Sequence, residues 1–383
     1  MAVAPTAAQH AASMQTYFRE GEQRAQQIGN RGPVKLGSDG KLHPDILEAF
    51  LEHGFYVFEG LVNEDEIALL RTEIERLIDR APVGKDASVD AKGRPAYGQE
   101  FAQPIYSFVK PLSDPWGGTE LLSGRHPIQM TQPAPDASAP DEVVQLIGGM
   151  CQTTDPGLRL YGHPLLLTIA EAINGDDFVP FNDATFVKLP GLGGSVAWHQ
   201  DGVTHWDSPD WDPGIHGFNF QVQLYPATSA NCLWVIPGSH KEGRADIKAL
   251  VASNDGSELL PTAIPLTCNA GDVTIANRQI LHCSFANTSP NIRVAMTFGF
   301  HRRRSVVGAK GALTQKKSDV YDEKRVFERS RVIAVAIDAR AQHYPDEPRY
   351  IYQPFVGLED EFRWSPETYE RVIKDYNLQD LSI

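Results

Sequence analysis

The sequence predicts a mainly β domain, a jelly roll resting on helices gathered at its N-terminal end. Three observations predict it. Up to Asp79 the apolar residues keep helical spacing, and from Asp183 to Phe300 they fall in short alternating runs closed by turn residues. Between them, residues 82–140 hold nine prolines and six glycines in 59 positions and keep neither period.

Taken in order, residues 1–12 are Ala-rich and expected to fray, and Ser13 to Gln27 reads as a helix ended by the Gly29–Pro33 run. Pro44 starts a second helix that buries Ile46, Leu47, Phe50 and Leu51 and is stopped by Gly54. Phe55-Tyr56-Val57-Phe58 follows as a buried strand. Asn63 caps a helix to Asp79, with Glu66 placed for a capping box and Ile67, Leu70, Ile74, Leu77 and Ile78 on its inner stripe.

The 82–140 stretch scatters Tyr97, Phe101, Tyr106, Phe108 and Trp116 among its prolines. A loop of that length inside a compact domain suits a lid, or else a wrap that buries its own aromatics. Asp141–Cys151 and Pro164–Ile173 read as helices. Strands are then expected at Ala184–Lys188, Phe218–Tyr225, Cys232–Ile236, Gly271–Ala276, Ile280–His282 and Asn291–Phe300. Along the second of these, Asn219, Gln221 and Gln223 share one face, which suits either solvent or a barrel interior holding a polar cofactor.

The 383 residues suffice for a sizeable core, and 35 basic against 49 acidic residues give 35 − 49 = −14. That balance argues against nucleic acid or an anionic membrane as main partner and leaves a small-molecule substrate. No run approaches a membrane span, Met1–His10 lacks a signal pattern, and four cysteines form no CxxC, so a reducing cytoplasmic location is expected.

His-x-Asp occurs three times, at His43, His199 and His205. His43 precedes a helix start and His205 sits in a turn-rich segment; only His199 follows a strand and a Gly191–Gly194 reversal. On an extended strand His199 and Asp201 share a face, and a second imidazole from elsewhere in the chain would complete two nitrogens and one carboxylate, a set suited to Fe(II) with open positions. Arg293 stands among apolar neighbours with small or polar alternation partners, so it points away from the apolar side.

Three blocks carry a resemblance: Leu47–Ile78; Lys188-Leu189-Pro190-Gly191 with Trp198-His199-Gln200-Asp201; and Asn231–His240 with Gly271-Asp272 through His282, Ser284, Asn287 and Arg293. In order and spacing they resemble the phytanoyl-CoA dioxygenase family, iron(II)/2-oxoglutarate oxygenases on a cupin-like double-stranded β-helix. The resemblance implies that His199, Asp201 and His282 ligate Fe(II), that 2-oxoglutarate and O2 are co-substrates, and that Arg293 holds the keto acid's distal carboxylate. Ser284, Gln221 and Gln223 would line the same pocket. Halogenating relatives carry a small residue at Asp201, so the carboxylate implies hydroxylation of a C–H bond, with desaturation, epimerisation and cyclisation open. A metal hydrolase or isomerase, or an idle binding barrel, remains an alternative on the same fold.

Residues 82–160 and the tail after His301 lie outside the resemblance. One oxygenase domain over 1–383 is expected, with an N-terminal extension (1–40), a buttress (41–81), a lid or insert (82–160), a core (161–300) and a C-terminal extension (301–383). The 203–218 loop follows the metal motif, so Trp206, Trp211 and Phe218 are candidate substrate contacts, as is Asn182. From 302 to 331, ten Lys/Arg oppose four Asp/Glu, which suits a solvated basic segment or an anion site.

Overall fold

The computed structural model describes residues 4–201, 217–311 and 319–379. Twelve strands are β1 (Arg31–Gly32), β2 (Phe55–Phe58), β3 (Tyr106–Val109), β4 (Val143–Gly148), β5 (Val179–Lys188), β6 (Val196–His199), β7 (Gly217–Gln223), β8 (Leu233–Val235), β9 (Ile264–Leu266), β10 (Val273–Asn277), β11 (His282–Ser284) and β12 (Arg293–His301). Eight form one sheet in the order β1-β2-β10-β7-β12-β5-β4-β3, and four form the other, β6-β11-β8-β9. This is the expected double-stranded β-helix.

The period of two explains the layering. In β7, Phe218, Phe220 and Val222 turn outward into a core shared with the helices, as do Val294, Met296, Phe298 and Phe300 of β12. The polar residues between them are left facing the barrel interior. In β2, Tyr56 and Phe58 join that outer core while Phe55 and Val57 join a second one between the sheets. The inner strands β2 and β10 are buried on both sides because a helical layer covers what the second sheet does not, while the edge strands β1 and β3 keep exposed residues.

The helices are α1 (Ala7–Ile28), α2 (Pro44–His53), α3 (Glu64–Asp79), α4 (Met150–Thr153), α5 (Asp155–Tyr161), α6 (Pro164–Asn174), α7 (Ile247–Ser253) and α8 (Glu323–His343). α2 keeps its expected bounds: His43 accepts a hydrogen bond from the Asp45 amide, and Gly54, at φ 80°, closes the last turn against the Phe50 carbonyl. Among the described residues no helix is long and apolar enough to cross a membrane.

Several expectations are corrected. α1 begins at Ala7, where Thr6 and Gln9 form a capping box, so the Ala-rich start is helix from its seventh residue. Tyr17 stacks on Trp234 with centroids 4.8 Å apart, which ties this helix to the smaller sheet. The Asn63 cap accepts from the Glu66 amide at 2.9 Å, but the Glu66 carboxylate does not close a box. It bonds instead to Arg340 of α8 at 2.7 and 3.2 Å.

The helix expected over Asp141–Cys151 is strand β4, paired with β3 and β5, followed by the single turn of α4. Its β-branched run Val143-Val144 fits a pleated surface. Thus part of the supposed insert extends the main sheet. The tail is equally integral: α8 packs on α5, where a Cβ at Gly162 would lie 2.3 Å from the Ala336 carbonyl oxygen. Only glycine allows that approach. Buried Asp183 of β5 accepts from Tyr376 at 2.5 Å and lies 4.0 Å from Arg329, both tail residues. The basic segment is partly neutralised by pairs Arg303–Glu323 and Arg325–Asp319.

Candidate metal and co-substrate site

The site lies where β6 and β11 pair, with His199 opposite His282. Their ring centroids are 4.0 Å apart. His199 Nε2 lies 3.7 Å from Asp201 Oδ1, and His282 Nε2 lies 4.0 Å from Oδ2. These donor atoms all fall within 4.8 Å of one another. The ring orientation follows from two local bonds: His199 Nδ1 meets the Ala197 carbonyl at 2.8 Å, and His282 Nδ1 meets the Ile280 carbonyl at 2.9 Å. A carbonyl only accepts, so each Nδ1 carries the proton and each Nε2 keeps its lone pair for a metal. Burial lowers the pKa of both rings, His199 furthest, which keeps them neutral.

Burial alone would raise the Asp201 pKa, but the charges of Arg278 and Arg125 outweigh it and hold the carboxyl well below its ordinary range. Arg125 Nη1 donates to Oδ1 at 2.7 Å and Asn219 Nδ2 donates to Oδ2 at 3.0 Å. Arg278 Nη1 donates in turn to Asn219 Oδ1 at 3.0 Å. A ligating carboxylate fixed by a surrounding layer of donors is the arrangement metal sites use. Two neutral imidazoles and one ionised carboxylate therefore fit Fe(II).

A cavity of about 390 Å³ holds these three residues together with Gln221, Ser284 and Arg293. Arg293 is 2% exposed. Its Nη2 donates to Gln221 Oε1 at 2.8 Å, while its Nε is buried without a partner and no carboxylate pairs with it among the described residues. A buried guanidinium facing only an amide is costly unless an anion meets it. The distal carboxylate of 2-oxoglutarate fits that requirement.

Asn219 and Gln221 line the cavity, so of the two readings of the amide face the barrel interior is the one found. Gln223 is buried on the same strand but is not part of the cavity wall. Ser284 lies past an irregularity in the β6–β11 pairing and does reach the wall. Lys188 is 1% exposed and donates to the Phe285 carbonyl at 2.6 Å. Phe218 is corrected: it turns into the helical core, edge-on to Phe220 at 4.7 Å. Trp206, Trp211 and the rest of 202–216 lie outside the described residues, as does the Asn182 side chain.

Some contributors were not foreseen, Arg278 among them, and Trp116 was expected only as one aromatic of the candidate lid. Arg125, His126 and Trp116 come from the 82–140 stretch; His126 is fully buried with its ring centroid 4.2 Å from that of His199, and Trp116 lies 5.7 Å beyond. Gln145 sits at a bulge, since Ser107 pairs with Leu146 and Phe108 with Val144. It is 1% exposed, lines the cavity, and both its amide atoms lack a partner among the described residues. A lone glutamine inside Val143-Val144-Gln145-Leu146-Ile147 was the signal that could have found it.

Residues 154–295 match the family model described as Phytanoyl-CoA dioxygenase (PhyH). Phytanoyl-CoA dioxygenase of Arabidopsis thaliana is 24% identical over 274 residues, 68% of this chain and 89% of that one. Phytanoyl-CoA dioxygenase domain-containing protein 1 of Rattus norvegicus is 23% identical over 306 residues, 73% of this chain and 97% of that one. The crystal structure of EctD from S. alaskensis with 2-oxoglutarate and 5-hydroxyectoine superposes with a TM-score of 0.47 and 19% identity, over 71% of this chain and 80% of that one.

Proposed function

We propose, taking as premise the phytanoyl-CoA dioxygenase family to which residues 154–295 match, that this iron(II)/2-oxoglutarate-dependent oxygenase hydroxylates a C–H bond of a small molecule. Iron(II) held there with 2-oxoglutarate would activate dioxygen, releasing succinate and carbon dioxide as the substrate is oxidised. The observation that carries the reading is Arg293: a buried cation with no carboxylate partner among the described residues, in the same cavity as the His199–Asp201–His282 cluster. A hydrolase or isomerase would use the three ligands and have no need of that charge.

The chain's own residues divide the work. His199 and His282 present Nε2, and Asp201 presents a carboxylate kept ionised by Arg278 and Arg125. Arg293, steered by Gln221 and flanked by Ser284, would hold the keto acid's far end and so fix which positions remain for dioxygen. His126, Trp116 and Leu122 cover the site and exclude water, which suits chemistry that must not discharge into solvent. Asp201 itself argues against halogenation.

The test is a screen of small molecules for substrate-dependent succinate release by the Fe(II) protein under air. Succinate that tracks one substrate class and needs 2-oxoglutarate supports the reading. A protein that holds iron and 2-oxoglutarate yet hydrolyses or isomerises its substrate without consuming the keto acid would overturn it.

A further inference from the structure

We propose that the substrate carries an anionic group, a carboxylate or a phosphate, and that Arg125 binds it at the mouth of the iron cavity. This deepens the oxygenase reading and rests on it.

Arg125 is the wall common to two hollows. Inside it lies the cavity of about 390 Å³ with the metal-ligand cluster. Outside lies a groove of about 340 Å³ lined by Pro127, Gln200, Arg244, Asp246 and Lys248. Arg244 and Lys248 are exposed there and form no ion pair among the described residues. Asp246, the groove's one carboxylate among those residues, caps α7, accepting from the Ala249 amide at 3.0 Å, and against it stand Arg125, Arg244 and Lys248. In a chain of net charge −14 this is a locally positive path leading to the reacting centre. Such a path draws in anions.

The guanidinium has capacity left for one. Its Nη1 serves Asp201, while Nε is buried without an acceptor among the described residues. Asp201 does not depend on Arg125 alone, since Asn219 bonds it at 3.0 Å and Arg278 stands 3.9 Å away. The planar fork suits carboxylate or phosphate oxygens.

The mounting points the same way. Leu122, Ser123 and Gly124 are consecutively left-handed, at φ 50°, 61° and 67°. Non-glycine residues rarely adopt that conformation, and such strain gathers at ligand clamps. The groove is also tied to the metal strand. Gln200, between the two ligands, accepts from the Ala245 amide at 2.8 Å and donates to the Gly243 and Gln279 carbonyls at 3.1 and 2.7 Å. The distance from a bound anion to the metal is thereby set, with Phe108, Trp116 and Leu122 left to meet an apolar body.

The experiment uses Mn(II)-loaded protein saturated with N-oxalylglycine, a keto-acid mimic that occupies Arg293. Calorimetry then compares 3-phenylpropionate and 3-phenylpropyl phosphate with 3-phenylpropionamide and 3-phenylpropylamine. At least one anionic probe should bind tenfold or more tighter than the amide and the amine. Arg125→Met should bring the four within threefold of each other, and Arg125→Lys should keep part of the preference. An Arg244→Ala/Lys248→Ala variant separates the sources: it should weaken a phosphate reaching the groove and spare a carboxylate held by Arg125 alone.

Equal affinity for charged and neutral probes would overturn the proposal. So would a collapse of Mn(II) affinity in both Arg125 variants, read by electron paramagnetic resonance, because Arg125 would then act only to position Asp201. Failure of wild-type protein to bind Mn(II) or N-oxalylglycine is a separate signal; it would sink the oxygenase reading, and this proposal with it.

Discussion

Replacing Arg293 with methionine should move co-substrate affinity and stability in opposite directions. The side chain is 2% exposed, bonds Gln221 at 2.8 Å, and has no carboxylate partner among the described residues. When 2-oxoglutarate binds, its distal carboxylate is desolvated against this charge. Removing one partner of a buried ion pair costs about 3–5 kcal/mol. At about 1.4 kcal/mol per tenfold, the 2-oxoglutarate Kd should rise by roughly two to three and a half orders of magnitude. Without 2-oxoglutarate the sign differs. Methionine fills similar volume and relieves an unpaired buried charge, worth about 1–4 kcal/mol, while Gln221 Oε1 loses a donor, a cost of about 1–3 kcal/mol. The variant should therefore be as stable as wild type or slightly more so. Calorimetry of 2-oxoglutarate binding to the Mn(II) protein, with thermal melts of both proteins, reads the two quantities. An affinity within threefold of wild type would refute the reasoning, because Arg293 would then not meet the keto acid.

Three further outcomes follow from the same structure. Arg340→Met strands the buried Glu66 carboxylate that it bonds at 2.7 Å, so chemical denaturation should show a loss of about 3–5 kcal/mol, and an unchanged midpoint would show the tail to be a loose appendage. The His163 pKa is lowered well below its ordinary value by burial and by the charge of Arg340. The folded state thus binds fewer protons than the unfolded one; stability is full above about pH 6.5 and should fall as the pH drops below that value. His163→Asn, which keeps the α6 cap without titrating, should flatten the melting-temperature profile in that window, and an unaltered slope would contradict the assignment. Gln145→Met should raise stability in the absence of ligand, by about 1 kcal/mol, and weaken a cavity ligand; lower stability would mean that the amide has partners after all.

What the sequence made legible is what local spacing encodes. α2, β2 and α3 kept their bounds because their apolar stripes, Gly54 and Asn63 are all within one or two turns of each other. The metal cluster was legible because only one of three His-x-Asp pairs follows an expected strand, although β6 ends at His199 and Asp201 lies two residues past it. β4 was misread as a helix because a short apolar run without an internal breaker fits both periods. Its partners, β3 and β5, settle the matter from elsewhere in the chain. Arg125 meets Asp201 across 76 residues from a stretch with no period at all, so nothing local marked it. Phe218 is a different kind of miss: once Asn219 faces the cavity, alternation sends Phe218 outward, and that inference needed no structure.

The most direct test of the account is an anaerobic titration of the purified chain with Fe(II) and then 2-oxoglutarate, followed by metal analysis and visible absorption. If His199, Asp201, His282 and Arg293 act as proposed, there should be one iron per chain and, on adding the keto acid, a weak visible charge-transfer band that Asp201→Ala lacks. Bound iron with no spectral change at saturating 2-oxoglutarate would contradict it.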